Sequence, residues 1–277
     1  MPTKALLVIL FFCIALPSAY ADKKKVEKIV LDAGHGGNEP GAMGRISKEK
    51  DLALQVTLKL GKKLEKNLRG RQIIYTRTTD VYPKLPERHK IANEAKADLF
   101  ISIHVNSSGG KRIRVQDGYR YVTKNGKQYK QARYKYVTTT SASGTECFVL
   151  GLHRNDQKEG AIGEYGESVT EEPGLLDPND PMTAIIIAQY SQAFLENSVL
   201  LGTKIQEQFA SQNRLDRGVK QKGLEVLAGS AMPGVLVEIG FINNEEEEQY
   251  MNSEQGQDEI VEAIYKGILA YISSVER

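Results

Sequence analysis

Short apolar runs alternate with longer amphipathic stretches through the first third of the chain. Residues 28–32, 72–76 and 98–103 are compact apolar runs bounded by turn residues, which is typical of buried strands. Between them, residues 49–68 place an apolar side chain at every fourth position, and residues 85–96 form a second helical stretch. This strand–helix order predicts parallel βαβ units and therefore an α/β fold.

The pattern continues to residue 277, with two interruptions. Residues 107–143 lack a sustained apolar period and predict an inserted loop or hairpin, and residues 155–181 predict a second, irregular and acidic insertion. The remaining predicted elements are strands at 145–151, 223–227 and 234–238 and helices at 182–212 and 259–272. We expect one α/β domain with insertions after the third and fourth strands.

Three polar side chains each come just after an apolar run: His35, His104 and Glu238. Ligands of open α/β sheets bind beyond the carboxyl ends of the strands, so these groups are expected to meet at one edge. Glu49, at the start of the first long helix, can point to the same edge. Two neutral imidazoles and one carboxylate suit zinc with a fourth position left for water. The pattern predicts a hydrolytic site in which His35, Glu49 and His104 bind the metal and Glu238 is the general base.

Each of these residues also has a structural interpretation. A glycine-rich loop after a first strand can hold phosphate, although no Lys-Ser/Thr pair follows it here. His104 alone could be a core histidine, and Glu49 an acid favoured by the helix dipole. Glu238 could be a structural acid paired with Arg77 or Arg217.

The other candidate groups are predicted to be inert. His89 lies on a charged helix turn and His153 at a strand exit, so both are expected on the solvated surface. Cys147 lies in an apolar run, which favours a buried thiol without nucleophilic function. The run of four glutamates at 245–248 is interpreted as a solvated helix start.

Charge and the amino-terminal segment limit the partners and the compartment. The 37 basic and 35 acidic residues nearly balance, so we expect no nucleic-acid partner. Residues 1–21 combine a positive start, an apolar stretch and an Ala-Tyr-Ala end, which predicts a signal peptide followed by a catalytic domain at 22–277. The apolar stretch is shorter than the roughly 20 residues that span a bilayer, so no stable membrane anchor is expected after cleavage.

Five sequence blocks resemble the zinc-dependent N-acetylmuramoyl-L-alanine amidases of type 3 (AmiC/LytC-like). They are VLDAGHGG (30–37), EKDL (49–52), TRTTD (76–80), ADLFISIHVN (97–106) and MPGVLVEIGFINN (232–244). The resemblance implies a twisted six-stranded sheet flanked by helices, zinc held by His35, Glu49 and His104, and Glu238 as the catalytic carboxylate. It also implies the substrate, which is the amide between N-acetylmuramic acid and L-alanine in peptidoglycan.

Two segments depart from the family pattern. Residues 111–136 lie where shorter members turn directly into the next strand, and they are interpreted either as part of the substrate groove or as a flexible surface loop. In some relatives the segment matching 156–173 carries a helix whose glutamate caps the zinc until a partner displaces it. Glu164 and Glu167 are the candidate self-inhibitory acids here, with an activator protein as the candidate partner, although the glycines of this segment disfavour a regular helix.

Three functions are compatible with these observations. The first is an exported peptidoglycan amidase in which Glu238 activates water and Asn106 helps to stabilise the oxyanion. The second is a related exported zinc hydrolase, such as a carboxypeptidase or deacetylase. The third is a non-catalytic protein that binds the cell wall. Without recognisable wall-binding repeats, we expect a periplasmic monomer, or otherwise a secreted or wall-associated protein.

Overall fold

The computed structural model describes residues 25–170, 175–177 and 179–276, and the side chains of residues 167 and 168 are outside this description. The predicted signal peptide, residues 1–21, also lies outside the described residues and stays a prediction. Within the described ranges, no helix combines the length and the apolar character needed to cross a bilayer.

The chain forms eight strands and eight α-helices in the described residues. The strands are β1 (Lys28–Ala33), β2 (Gln72–Tyr75), β3 (Leu99–Asn106), β4 (Lys111–Lys124), β5 (Lys127–Thr139), β6 (Thr145–Leu150), β7 (Asp216–Lys222) and β8 (Gly234–Phe241). The helices are α1 (Glu49–Asn67), α2 (Leu85–Glu94), α3 (Asn155–Glu164), α4 (Gly166–Val169), α5 (Thr183–Ser211), α6 (Glu225–Ala228), α7 (Glu245–Asn252) and α8 (Glu254–Val275).

Six of the strands form the central sheet, in the order β2-β1-β3-β8-β6-β7. Neighbouring strands are parallel except at β6 and β8, which run antiparallel. This confirms the predicted six-stranded, mainly parallel sheet. Among the described strands, β4 and β5 pair with each other alone and form a hairpin. The sequence predicted a loop or a hairpin for this first insertion.

Alternating side chains bury both faces of this sheet. Ile29 and Leu31 join the larger core with apolar residues of α1, α5 and α8, whereas Val30 joins a second core with residues of α2 and α6. Near-continuous apolar strands are expected when helices cover both faces. Helix α1 buries Leu52 and Leu64 as the four-residue repeat predicted.

Two predicted elements were wrong. The strand expected at 223–227 is instead a turn leading into α6, and the strand is β7, residues 216–222. Because β7 is a mostly polar edge strand, it lacks the apolar run on which the prediction relied. The second insertion is not irregular throughout, since it contains α3 and α4. Ala161 and Ile162 are buried, and such packing stabilises α3 despite its glycines.

The glutamate run at 245–248 is only half solvated. Glu245 and Glu246 are exposed, but Glu247 and Glu248 are buried. The carboxylate of Glu248 accepts hydrogen bonds from the backbone N–H groups of residues 45, 46 and 47, at 2.8–2.9 Å. This carboxylate therefore fixes the loop that leads into α1.

A buried ion pair connects the sheet to α2 and to the loop after β1. The Asp32 carboxylate is fully buried and accepts hydrogen bonds from Thr76 and Ser102, both at 2.6 Å, and from Arg88 at 2.5 Å. Arg88 also donates to the carbonyl of His35 at 2.8 Å. Burial alone would raise the pKa of Asp32, but Arg88 and the two hydroxyls outweigh it and lower the pKa.

Candidate metal and hydrolytic site

His35 lies in a tightly held loop after β1. Its backbone φ of 58° is in the left-handed region, and Gly36 and Gly37 follow with positive φ values. Arg88 binds the His35 carbonyl, and Arg77 donates to the carbonyl of Gly34 at 2.8 Å. These bonds offset the conformational strain and hold the imidazole at the carboxyl end of β1.

Glu49 is the residue on which the cluster converges. As the first residue of α1 it is only 5% exposed, and one of its oxygens accepts from the backbone N–H of Ala42 at 2.7 Å. The other oxygen lies 3.1 Å from Nε2 of His35 and 2.8 Å from Nδ1 of His104. It also accepts from the backbone N–H of Val105 at 3.1 Å.

The structure brings His35, Glu49 and His104 together as one possible metal-binding group, whose ligand atoms lie within 4.8 Å of one another. Two imidazoles and a carboxylate at this spacing fit zinc in a site that leaves one position open. Burial would raise the pKa of Glu49, but the two histidines outweigh it and hold the pKa far below its ordinary value. Burial would lower the pKa of His104, but Glu49 raises it. A cation binding here would displace protons from the imidazoles.

Glu238 lies beside this cluster. It pairs in register with His104 of β3 on one side and with Glu146 of β6 on the other. The sequence placed His104 just past its predicted strand and Glu238 at the last residue of its own, whereas both lie within β3 and β8, which extend further than their apolar runs. Cross-strand partners share a face of a sheet, so the three side chains form one row.

The carboxylate of Glu238 has the properties of a general base, because one of its oxygens is unpartnered and its pKa is raised. Its Oε2 is buried and has no hydrogen-bond partner among the described residues. Burial raises its pKa to about 7, partly opposed by His104. Neither arginine of the structural interpretation pairs with it, because Arg77 donates to backbone carbonyls and Arg217 contacts Glu146 at 3.4 Å.

Glu146 is a member of this row that the sequence analysis missed. It is 5% exposed, accepts from the amide of Asn106, and forms ion pairs with Arg217 and Lys220. A single acid inside the apolar strand 145–150 was the available signal, the same signal that identified Glu238. The contact with Glu146 orients Asn106, the residue expected to stabilise the oxyanion.

A family model described as N-acetylmuramoyl-L-alanine amidase matches residues 29–270, which include all of these groups. The chain belongs to this family. The conclusion agrees with the mainly parallel six-stranded sheet and with the order of the His35, Glu49, His104 and Glu238 blocks.

Individual amidases support the same assignment. The chain is 29% identical over 248 residues to N-acetylmuramoyl-L-alanine amidase AmiC of Escherichia coli O6:H1, a match that covers 88% of this chain and 52% of that relative. It thus spans about half the length of that curated relative. The solved N-acetylmuramoyl-L-alanine amidase from Clostridium difficile 630 is 28% identical with a TM-score of 0.60, and covers 91% of this chain and 99% of its own. The CwlD amidase from Clostridioides difficile, solved in complex with the GerS lipoprotein, is 25% identical with a TM-score of 0.59, and covers 90% and 99%.

The remaining candidate residues of this chain lie outside the cluster. His153 is exposed, as expected, but His89 is partly buried and its Nε2 lies 3.1 Å from the carbonyl of Val226, so the surface interpretation of His89 was wrong. Cys147 is fully buried and burial raises its pKa to about 12, which confirms an inert thiol. Glu164 is exposed at the end of α3 and lines a cavity that includes His89. The side chain of Glu167 lies outside the described residues, and self-inhibition stays a prediction.

Gly34 provides a test of the candidate metal site. A Cβ at this position would lie 2.5 Å from Cε1 and Nε2 of His104, a distance that real Cβ atoms essentially never show. We expect Gly34→Ala to displace the imidazole and to weaken zinc binding about 10- to 100-fold. Competition with a chromophoric chelator measures this affinity. Gly160→Ala is the control, since its Cβ meets nothing within 4 Å, and equal affinities for the two variants would contradict the packing described.

Glu238 provides a second test, in the metal-free protein. Because the folded-state pKa is raised from 4.5 to about 7, the folded chain binds more protons than the unfolded chain between these values, and stability falls as pH rises through this window. Glu238→Gln should remove this cost and stabilise the metal-free protein by about 3 kcal/mol at pH 8 but not at pH 4.5. Urea denaturation across this range measures the difference. Glu94→Gln, at an exposed position, is the matched surface substitution, and a pH-independent difference for Glu238→Gln would refute the buried, unpaired carboxylate.

Proposed function

We propose that this chain is a zinc-dependent N-acetylmuramoyl-L-alanine amidase that hydrolyses the amide between N-acetylmuramic acid and the L-alanine of the peptidoglycan stem peptide. The observation that carries the proposal is the row of His104 and Glu238 on neighbouring strands, with His35 and Glu49 converging on the same point. Three metal-binding groups beside a separate carboxylate are the minimum for hydrolysis by activated water.

In the proposed reaction, His35, Glu49 and His104 would hold a zinc ion, and the bound ion would supply Lewis-acid activation. Glu238 accepts the proton of the attacking water on its unpartnered oxygen and returns it to the leaving amine of L-alanine. A pKa near neutrality suits a group that must both take and give a proton. No covalent intermediate with the protein is required.

Glu146 is proposed to act through Asn106. Arg217 and Lys220 form ion pairs with the carboxylate of Glu146. The same carboxylate accepts from the side-chain amide of Asn106 and holds this amide at the end of β3. An oriented amide N–H near the site can stabilise negative charge that develops on the carbonyl oxygen.

Export and regulation complete the proposal. The signal-peptide pattern of residues 1–21 supports an exported, periplasmic enzyme whose partner is peptidoglycan. The CwlD amidase was solved in complex with the GerS lipoprotein, which supports the idea that a partner protein binds this chain too, and we propose that this partner is an activator. Such an activator would relieve inhibition by Glu164 or Glu167. Basal hydrolysis unchanged in a variant lacking both acids would reject that idea.

Digestion of purified peptidoglycan, followed by mass analysis of the new end groups, tests the proposed activity. We expect free amino groups of L-alanine on released peptides and unsubstituted lactyl groups on the glycan, and both should be absent after chelation of the metal. New carboxyl ends within the stem peptide, or free amines on the sugars, would instead identify a carboxypeptidase or a deacetylase. Binding to the wall without any new end group would identify a non-catalytic protein.

A further inference from the structure

The β4–β5 hairpin is a long exposed ribbon rooted beside the candidate site. It begins five residues after Asn106, and the 14 residues of β4, at about 3.3 Å each, give a strand about 45 Å long. The turn at its tip is Asn125-Gly126, with both φ values positive, as the tightest hairpin turns require. Since an isolated two-stranded ribbon is marginally stable in water, its persistence here calls for an explanation.

The root of the hairpin is fixed to the end of β8. The side chain of Asn243 accepts from the backbone N–H of Ser108 at 3.2 Å and donates to its carbonyl at 2.6 Å. The carbonyl of Asn243 accepts from the N–H of Thr140 at 3.0 Å, and Asn244 donates to Ala142 at 3.0 Å. Both ends of the hairpin are therefore tied to the loop that follows the strand carrying Glu238.

The pairing register sorts the side chains of the hairpin onto two different faces. Arg114 pairs with Tyr136, Tyr121 with Lys130, and Tyr119 with Ala132. Paired residues share a face, and alternate residues of a strand share it too. A bulge between Gln116 and Tyr119 keeps Tyr119 and Tyr121 on the face of Arg112 and Arg114. We call this the aromatic face, and its members are Arg112, Arg114, Tyr119, Tyr121, Lys130, Tyr134 and Tyr136.

Cations and rings alternate along the aromatic face. The cationic groups lie 3.8 Å (Arg114 over Tyr134), 4.7 Å (Arg112 over Tyr136) and 4.0 Å (Lys130 over Tyr119) from the ring centres. The four tyrosines stay 47–69% exposed despite these contacts. The opposite face is more covered near the root, where Val115 is buried and Asp117 pairs with Arg133 and Lys135.

The hairpin carries a strong positive charge. Nine of the residues from 111 to 139 are lysine or arginine, and Asp117 is the only acidic residue, although the whole chain carries a net charge of only +2. Exposed rings offer flat surfaces for the apolar faces of sugars, and the interleaved cations attract carboxylates. A ligand with both features, reaching the site from the hairpin, is a glycan that carries anionic peptides.

We propose that the aromatic face binds the glycan strand of peptidoglycan together with its anionic stem peptides and keeps the polymer at the site. This inference rests on the proposed function, and it assigns the first insertion a specific ligand and a specific face. Glycan contact along the ribbon would raise the affinity for polymer without changing the chemistry on a short substrate.

A pelleting assay with purified insoluble peptidoglycan tests the binding, using full-length chains that carry Glu238→Gln so that the polymer stays intact. Replacing Tyr119, Tyr121, Tyr134 and Tyr136 by Ser should weaken binding at least about tenfold, because clustered aromatic contacts supply most of the energy of such interfaces. Tyr129→Ser, on the opposite face, should change it less than about twofold. Equal losses for the two variants would overturn the assignment of the face.

Matched charge variants distinguish specific binding at the aromatic face from non-specific electrostatic attraction between the hairpin and peptidoglycan. The first triple variant removes three cations from the aromatic face by changing Arg112, Arg114 and Lys130 to Gln. The second removes three cations from the opposite face by changing Arg120, Lys124 and Lys127 to Gln. The first triple should weaken binding several-fold more than the second at about 0.15 M salt. Equal weakening would mean non-specific attraction and overturn the proposal. So would losses confined to anionic phosphatidylglycerol vesicles or to DNA, with peptidoglycan binding unchanged.

Hydrolysis by chains with an intact Glu238 distinguishes this inference from the proposed function. The tyrosine variant should lose activity on insoluble peptidoglycan but keep that on a soluble disaccharide-peptide too short to reach the ribbon. If the unmodified chain does not cleave the soluble substrate, the proposed function fails, and the pelleting result still decides the inference. Loss of both activities in the tyrosine variant, with its folding confirmed by circular dichroism, would contradict a role limited to polymer binding.

Discussion

Replacing Glu238 by Gln should lower kcat for amide hydrolysis by about 10²–10⁴-fold while leaving zinc affinity nearly unchanged. The amide keeps the shape of the carboxylate but cannot accept the proton of water. Because Glu238 is not one of the three clustered ligands, its loss should not release the ion. Product release from peptidoglycan and chelator competition measure the two quantities in the same preparation.

Glu146→Gln is the matched control for this prediction, because Glu146 belongs to the same row of the sheet. Its carboxylate oxygens already contact Arg217, Lys220 and the amide of Asn106, so they are not free to bind the attacking water. We expect a loss of activity at least about tenfold smaller than that of Glu238→Gln. A larger loss in Glu146→Gln, with Glu238→Gln nearly active, would exchange the roles of the two acids.

Replacing Asp32 by Ala should destabilise the fold by about 3–5 kcal/mol, the cost of leaving a buried charge without its partner. Arg88 is only 2% exposed, so its charge would stay buried, and Thr76 and Ser102 would also lose their acceptor. Urea denaturation with a constant slope measures the change in the free energy of unfolding. The effect should extend to the site, because Arg88 holds the carbonyl of His35.

A double-mutant cycle separates the ion pair from general damage to the core. Adding Arg88→Met to Asp32→Ala should cost clearly less than the two single changes together, since the second change removes the unpaired charge. Glu94→Ala, which removes an exposed partner of Lys90 on the same helix, should cost less than about 0.5 kcal/mol. A cost below about 1 kcal/mol for Asp32→Ala would show that the pair does not support the fold.

Apolar runs predicted most of the sheet, because strands covered by helices on both faces are apolar along their whole length. The same rule failed at β7, where only one neighbouring strand is present and the side chains are mostly polar. It also concealed Glu146, whose strand was interpreted as core. A buried acid that accepts hydrogen bonds from backbone N–H groups, such as Glu248, cannot be distinguished in a sequence from a solvated acid.

The candidate metal group was predictable because His35 and His104 follow apolar runs of parallel strands, which must end at one edge, and Glu49 begins the helix after the first of them. Its close packing was not, since the approach of Gly34 to His104 depends on the distance between β1 and β3. The sequence also did not predict which side chains of the hairpin share a face, because this depends on the bulge after Gln116.

X-ray absorption of the zinc-loaded protein tests most directly whether His35, Glu49 and His104 bind one ion beside Glu238. One zinc per chain is predicted, with two imidazole nitrogens and carboxylate or water oxygens at about 2.0–2.2 Å, and with one imidazole lost in His104→Ala. A zinc shell without imidazole, or one unchanged by His104→Ala, would contradict it.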